Sequence, residues 1–194
     1  MNTRKTLPEF EAIFLAAADH IAAVGAQHFS VNEIAESLNV TPDMLQPLFN
    51  DLYSFSASFG RFIDGAVLRE KGDEFADSDE PARDRLFDVI MARFDALLPY
   101  KAAVQELGVA LRRDPKLSAL VVSSLLPNSM SVLLSVSNTA VEGRKKRLQV
   151  AGLTLLWLRV STVWGKDDSE DMSKTMSALD KELIRADRIA KRLF

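Results

Sequence analysis

Apolar residues in this chain recur at three- and four-residue intervals from end to end, and no stretch alternates them in twos between hairpin turns. That periodicity calls for helices that each bury one face against a neighbour, so the expected class is all-α. The punctuation agrees. A helix over 7–24 carries Ile13, Phe14, Ala17, Ile21 and Val24 on one face and stops at Gly25. A second begins at Ser30, where Ser30 and Glu33 match a capping box, and runs to about 38. Asn39 and Val40 form a tight turn, and Thr41 is placed to cap a third helix over 41–49 with Pro42 in its first turn. A fourth covers about 51–70. The acidic, polar stretch 71–83 reads as a loop.

Five further helical patterns follow. One over 83–98 lines up Leu86, Ile90, Phe94 and Leu97, and one over 99–113 lines up Val104, Leu107 and Leu111. An apolar stretch over 116–136 has Pro127 as an expected kink or break. The last two cover 144–164 and 169–194, the second with Met172, Met176, Leu179, Leu183 and Ile189 inward. About nine helices result, divided into an N-terminal unit, 1–65, and a C-terminal helical unit, 66–194.

Composition narrows the chemistry. The 194 residues include no cysteine and two histidines, His20 and His28, which excludes disulfides, thiolate chemistry and multi-histidine metal sites. No nucleophile elbow, P-loop, dinucleotide fingerprint or zinc-protease motif occurs, so no enzyme, no metal and no cofactor is expected. The acidic group Asp167, Asp168, Glu170 and Asp171 reads as the electrostatics of a helix start. The first residues lack the apolar run of a signal peptide. The segment read as most apolar, 148–164, is short for a membrane span and polar residues interrupt it. Cytoplasm is the expected compartment.

The segment 30–49 has the spacing of a helix-turn-helix. Ala35 is small enough for close approach of a second helix. Leu38, Val40, Leu45 and Leu48 fill the wedge between the two, and Asn39 tolerates a left-handed backbone at the turn. An ordinary αα-hairpin fits the same spacing. On Gly25, Ser30, Ile34-Ala35, Val40-Thr41, Leu45 and Phe49, the chain resembles the TetR family by motif over its first ~65 residues and by architecture beyond them. The resemblance implies a dimeric transcriptional regulator on double-stranded DNA. Arg4 and Lys5 would form a basic arm, and Ser30, Thr41, Pro42, Asp43 and Gln46 would lie at the DNA face. Where the family usually has aromatic residues or His before the closing Phe and a Lys after it, this chain has Gln46, Pro47, Leu48 and Leu52. Residues 1–60 hold two basic and seven acidic side chains, a net of -5, and the segment 41–49 holds no Lys or Arg. Because phosphate neutralisation supplies most non-specific DNA affinity, this charge opposes a DNA partner.

A second similarity lies near the C-terminus. Asp168-Ser169-Glu170-Asp171-Met172, Thr175, Leu179-Asp180 and Leu183, with Gly152, Leu156, Trp157 and Trp164 before them, look like ubiquinone-biosynthesis accessory proteins that share the TetR-like fold. That likeness implies binding of a lipid or isoprenoid and a head that no longer binds DNA. Met91, Phe94, Leu107, Met130, Leu133, Leu134 and Trp157 fall on inner faces, where they would line an apolar ligand cavity or simply form core. By the TetR resemblance the last two helices form a homodimer interface, which would place Leu153, Leu156, Trp164, Met176, Leu179 and Leu183 there. Two basic stretches, 143–147 and 188–194, suit a solvated surface or packing against a neighbour, with a membrane surface as the alternative partner.

Overall fold

The computed structural model describes residues 8–75 and 78–193. Arg4 and Lys5, the expected basic arm, lie outside the described residues. Among those described there is no strand, and there are nine helices when 115–136 is counted as one: α1 (Phe10–Val24), α2 (Val31–Ser37), α3 (Pro42–Leu45), α4 (Leu52–Lys71), α5 (Ala82–Leu97), α6 (Lys101–Arg113), α7 (Pro115–Val136), α8 (Arg144–Trp164) and α9 (Ser173–Leu193). The all-α reading stands. The helices fall into two compact units, Met1–Phe62 with Leu97–Val121, and Ile63–Ala96 with Val122–Phe194. The segment 97–121, expected with the second unit, clusters with the first. Helix α6 packs against α1 and buries Ala103 and Ala110, small residues of the kind that let two helix backbones approach closely.

The core of the first unit is aromatic. Phe14 on α1 meets the rings of Phe49, Phe55, Phe59 and Phe62 at centroid distances of 4.7 to 6.3 Å. Phe55 and Phe59, one turn apart on α4, are stacked at 5.5 Å, and Tyr100 meets Phe59 edge-on at 5.1 Å. Ile13, Ala17, Ile21, Ile34, Ala35 and Leu45 complete the buried face. Expected boundaries hold except where proline and capping intervene. The third helix ends at Leu45 rather than at 49. Pro47 has no N–H to give the Asp43 carbonyl, so the chain closes in a tight turn, with Leu48 and Phe49 both donating to the carbonyl of Leu45.

In the second unit, Phe94 of α5 stacks on Trp157 at 4.5 Å and on Trp164 at 5.5 Å. Ile90, Met130, Leu133, Leu134, Val160, Leu179 and Leu183 are buried in the same unit. Pro127 does not break α7. The turn before it, Val121–Leu125, winds as a π-helix, which accommodates a ring that would otherwise crowd the carbonyl four residues back. Helix α7, not 148–164, is the stretch long and apolar enough by length and composition to cross a membrane, with mean hydropathy 1.7. A core helix meets the same criterion, and α7 buries Met130, Leu133 and Leu134. The last helix begins at Ser173 rather than at 169. Met172 takes a left-handed backbone (φ 52°), and the residues before it form a capping turn.

Candidate functional site

The helix-turn-helix is built locally. Ser30 Oγ accepts the Glu33 N–H at 3.3 Å, one half of the expected capping box. The other half comes from elsewhere: the Ser30 N–H donates to His20 Nε2 at 3.2 Å, and His20 Nδ1 lies 3.7 Å from a Glu33 carboxylate oxygen. His20 thereby ties α1 to the start of α2. Asn39 sits at φ 54°, and the Val40 N–H reaches back to the Ala35 carbonyl at 2.9 Å, which closes α2 and turns the chain into α3. Ile34, Ala35, Val40 and Leu45 are buried in the wedge.

The surface this presents is small and uncharged or acidic. Thr41, Asp43 and Gln46 are exposed, and Pro42 and Ser30 are half-buried. Thr41 makes no capping bond with its side chain, contrary to the expected role, which leaves its hydroxyl on the surface. Gln46 Nε2 donates to Asp43 Oδ1 at 3.2 Å, so an outside partner must compete for both groups. Helix α3 is a single turn and carries no cation. Asp51 and Ser54 form a reciprocal cap at the start of α4: Ser54 N–H donates to Asp51 Oδ1 at 2.7 Å, and Asp51 N–H to Ser54 Oγ at 3.0 Å. The Ser54 hydroxyl and N–H hold the Asp51 carboxyl below its ordinary value.

The six residues expected at a dimer interface lie mostly inside one chain. Leu153, Leu156, Trp164, Leu179 and Leu183 are each no more than 5% exposed, and Met176 is half-buried. Helices α8 and α9, which carry them, pack on each other within the chain. What α8 leaves outside is a different stripe: Leu148 and Leu155, each 59% exposed, with Ala151 and Gly152 between them. Of the expected cavity residues, Phe94, Met130, Leu133, Leu134 and Trp157 are buried core and Met91 is half-buried; Leu107 belongs to α6 in the first unit. Two open recesses mark the surface of the second unit. One of about 420 Å³ is lined by the starts of α5 and α9, and one of about 460 Å³ by Leu68, Gly72, Asn128, Ser131, Val132, Ser135 and Val136 of α4 and α7.

Two polar clusters of the second unit are not legible as clusters in the sequence. In the first, Arg93 of α5 donates from Nε to Asp64 Oδ1 of α4 and from Nη2 to Ser129 Oγ of α7, both at 2.9 Å. Ser129 Oγ–H also reaches Asp64 Oδ1, at 2.6 Å, and the guanidinium carbon stands 4.3 Å from the Trp157 ring centre. All three polar residues are buried. The available signal was a charge set in an apolar row: Asp64 beside Ile63 and Val67, and Arg93 between Ile90 and Phe94. In the second cluster, Asp167 is 2% exposed. Burial works to raise its pKa, but hydrogen bonds from the hydroxyls and N–H groups of Ser169 and Thr175 outweigh it and hold the carboxyl far below the usual range. The Thr175 bonds span 2.7 and 2.8 Å and fasten the α8–α9 connection to the first turn of α9. Much of the C-terminal motif therefore has a structural reason for its residues.

No family model matches this chain, and no curated protein matches it. Among solved structures it is similar to the TetR transcriptional regulator from Nitrosomonas europaea ATCC 19718, at 19% sequence identity and a TM-score of 0.73, over 93% of this chain and 98% of that one. An all-helical chain with a capped helix-turn-helix near its start, superposing at that level over nearly its whole length, has a TetR-like fold.

Proposed function

We propose that this chain is a helix-turn-helix transcriptional regulator that acts as a homodimer on double-stranded DNA, with an apolar small ligand in its second unit setting the DNA affinity. The observation that carries the reading is the complete helix-turn-helix, closed at Asn39 and Val40, within a TetR-like fold. Thr41, Pro42, Asp43 and Gln46 are the groove-facing residues of this reading, and Ser30 and the α2 N-terminus approach a phosphate. Paired heads must match the helical repeat of DNA, so a ligand that favours one dimer geometry changes affinity steeply.

The test is selection of sheared genomic DNA on the purified protein at low and moderate salt, followed by sequencing. One enriched near-palindromic site at moderate salt is the expected result. Replacing both Thr41 and Gln46 with alanine should then lower affinity for that site about tenfold or more, since each specific hydrogen-bonded pairing with a base is worth roughly 1–3 kcal/mol. An unchanged footprint removes these residues from the DNA face. For the dimer, the exposed Leu148–Leu155 stripe of α8 is the surface proposed. Substituting both leucines with glutamate should convert the dimer to monomer in sedimentation velocity without loss of helix content, because paired carboxylates would be driven into an apolar interface.

A second reading has its own support. The single-turn, cation-free α3 and the acid-rich 1–60 segment favour a lipid- or isoprenoid-binding accessory protein whose head no longer binds DNA. Absence of enrichment at both salts, with folded protein, is the outcome that selects it.

A further inference from the structure

A buried ion pair is an expensive way to fill a core, since an apolar set of equal volume is often as stable or more so. The Asp64–Arg93–Ser129 cluster therefore invites a functional reading, and its surroundings supply one. Asn138 Nδ2 donates to the Phe75 carbonyl at 3.4 Å, while Ser129 meets Asp64. The second half of α4 thus runs alongside α7 in the same direction, with the ion pair at the earlier end. Leu68 and Gly72 follow Asp64 at one-turn steps, and Val132 and Val136 follow Ser129 in the same way. These four residues line the open recess of about 460 Å³. One end of the recess is bordered by Asn128, next to Ser129, and by Leu68, one turn past Asp64; the three cluster residues are buried and do not line it, and the recess runs from that end along roughly eight residues of α7, about 12 Å.

We propose that this recess, extended at that end to the buried cluster when a ligand displaces Asp64, forms a site for an amphiphile with one carboxylate head and an unbranched apolar chain of about ten carbons. The chain lies against Leu68, Val132 and Val136. The carboxylate takes the Arg93 guanidinium and the Ser129 hydroxyl, the two donors Asp64 now occupies. Arg93 is suited to this exchange because its planar fork matches a carboxylate and its face rests on Trp157. Asp64 is the internal competitor: its side chain, 11% exposed, turns to water when displaced. The site names the ligand class of the regulator reading and rests on that reading only for its regulatory meaning. Because α4 supplies Asp64 and its first half belongs to the helix-turn-helix unit, occupancy acts on a helix shared by both units.

The experiment titrates the full-length protein, without DNA, with decanoate, decanol and decyltrimethylammonium, reading the emission of Trp157 and Trp164. Decanoate should bind saturably, at least about tenfold more tightly than the other two, since only it pairs with a guanidinium. Arg93→Met should lose at least tenfold and Val132→Trp, which fills the recess from the surface, should abolish binding. Asp64→Asn should tighten decanoate binding about three- to tenfold, because removing a competing state raises the binding-competent fraction. A purely structural role predicts no such tightening. Thermal melts establish that each variant is folded, and Val132→Trp serves if the buried variants do not fold. The proposal is overturned by equal affinity for decanol, by preference for the cation, by weaker binding in Asp64→Asn, or by no saturable decanoate signal in the wild type. Failure here leaves the DNA selection, run without any amphiphile, free to succeed or fail separately.

Discussion

Asp167→Ala should lower stability by about 3 kcal/mol at pH 7, read as a fall in chemical or thermal midpoint, whereas Asp168→Ala should change it by less than about 0.5 kcal/mol. Asp167 accepts bonds from the hydroxyl and N–H of Ser169, before α9, and of Thr175, in its first turn, and bonds to an ionised acceptor are the strong kind. Asp168 is exposed. The pH dependence follows from the lowered carboxyl. A group whose folded pKa lies below its unfolded value stabilises the fold above the unfolded value, here near 3.8, and loses that contribution as pH falls through the interval beneath it. The gap between wild type and Asp167→Ala should therefore be constant from about pH 6 to 8 and shrink below about pH 4. A gap that persists unchanged at pH 2 would show that packing, not the ionised carboxylate, is what the substitution removes.

Phe55→Ala should cost the first unit about 3–5 kcal/mol, the largest effect expected of a single residue there. Phe55 is fully buried and touches the rings of Phe14, Phe29, Phe49 and Phe59 at 5.2 to 6.2 Å. Those rings come from four separate stretches of chain, and none can collapse into the space without leaving the others. Phe55→Leu keeps most of the volume and should cost about 1.5 kcal/mol or less. Unfolding of the alanine variant followed by circular dichroism, with hydrogen exchange at the amides of α1 and α2, measures the loss where it occurs. A loss under 1 kcal/mol, with protection unchanged there, would mean that the ring cluster is not what holds α1 and α2 onto α4.

The same residues show where sequence reasoning runs out. Gly25, Ser30 and Asn39 announced a helix-turn-helix because each acts through the backbone of its immediate neighbours, and such short-range rules are written in spacing alone. The early end of α3 follows from Pro47, and the continuation of α7 through Pro127 rests on a π-turn before the ring, which a proline in an apolar stretch does not by itself announce. The interface expected at Leu153, Leu156 and Leu183 illustrates a different limit. Periodicity reports which face of a helix is apolar and says nothing about which partner covers it; in this chain those leucines are covered from within, and Leu148 and Leu155 stay outside.

The all-helical class, the helix-turn-helix near the start and most helix ends were determined by the order of residues, because periodicity, caps and turn chemistry act within a few positions of the chain. Tertiary structure alone decided which apolar faces are spent inside the chain, that His20 completes the cap of α2, that Asp167 grips Thr175, and that Asp64, Arg93 and Ser129 meet. Those three lie 29 to 65 positions apart. A charge buried among apolar residues finds its partner only when helices pack, and the free energy of that pairing depends on water excluded by neighbours that one-dimensional order does not specify.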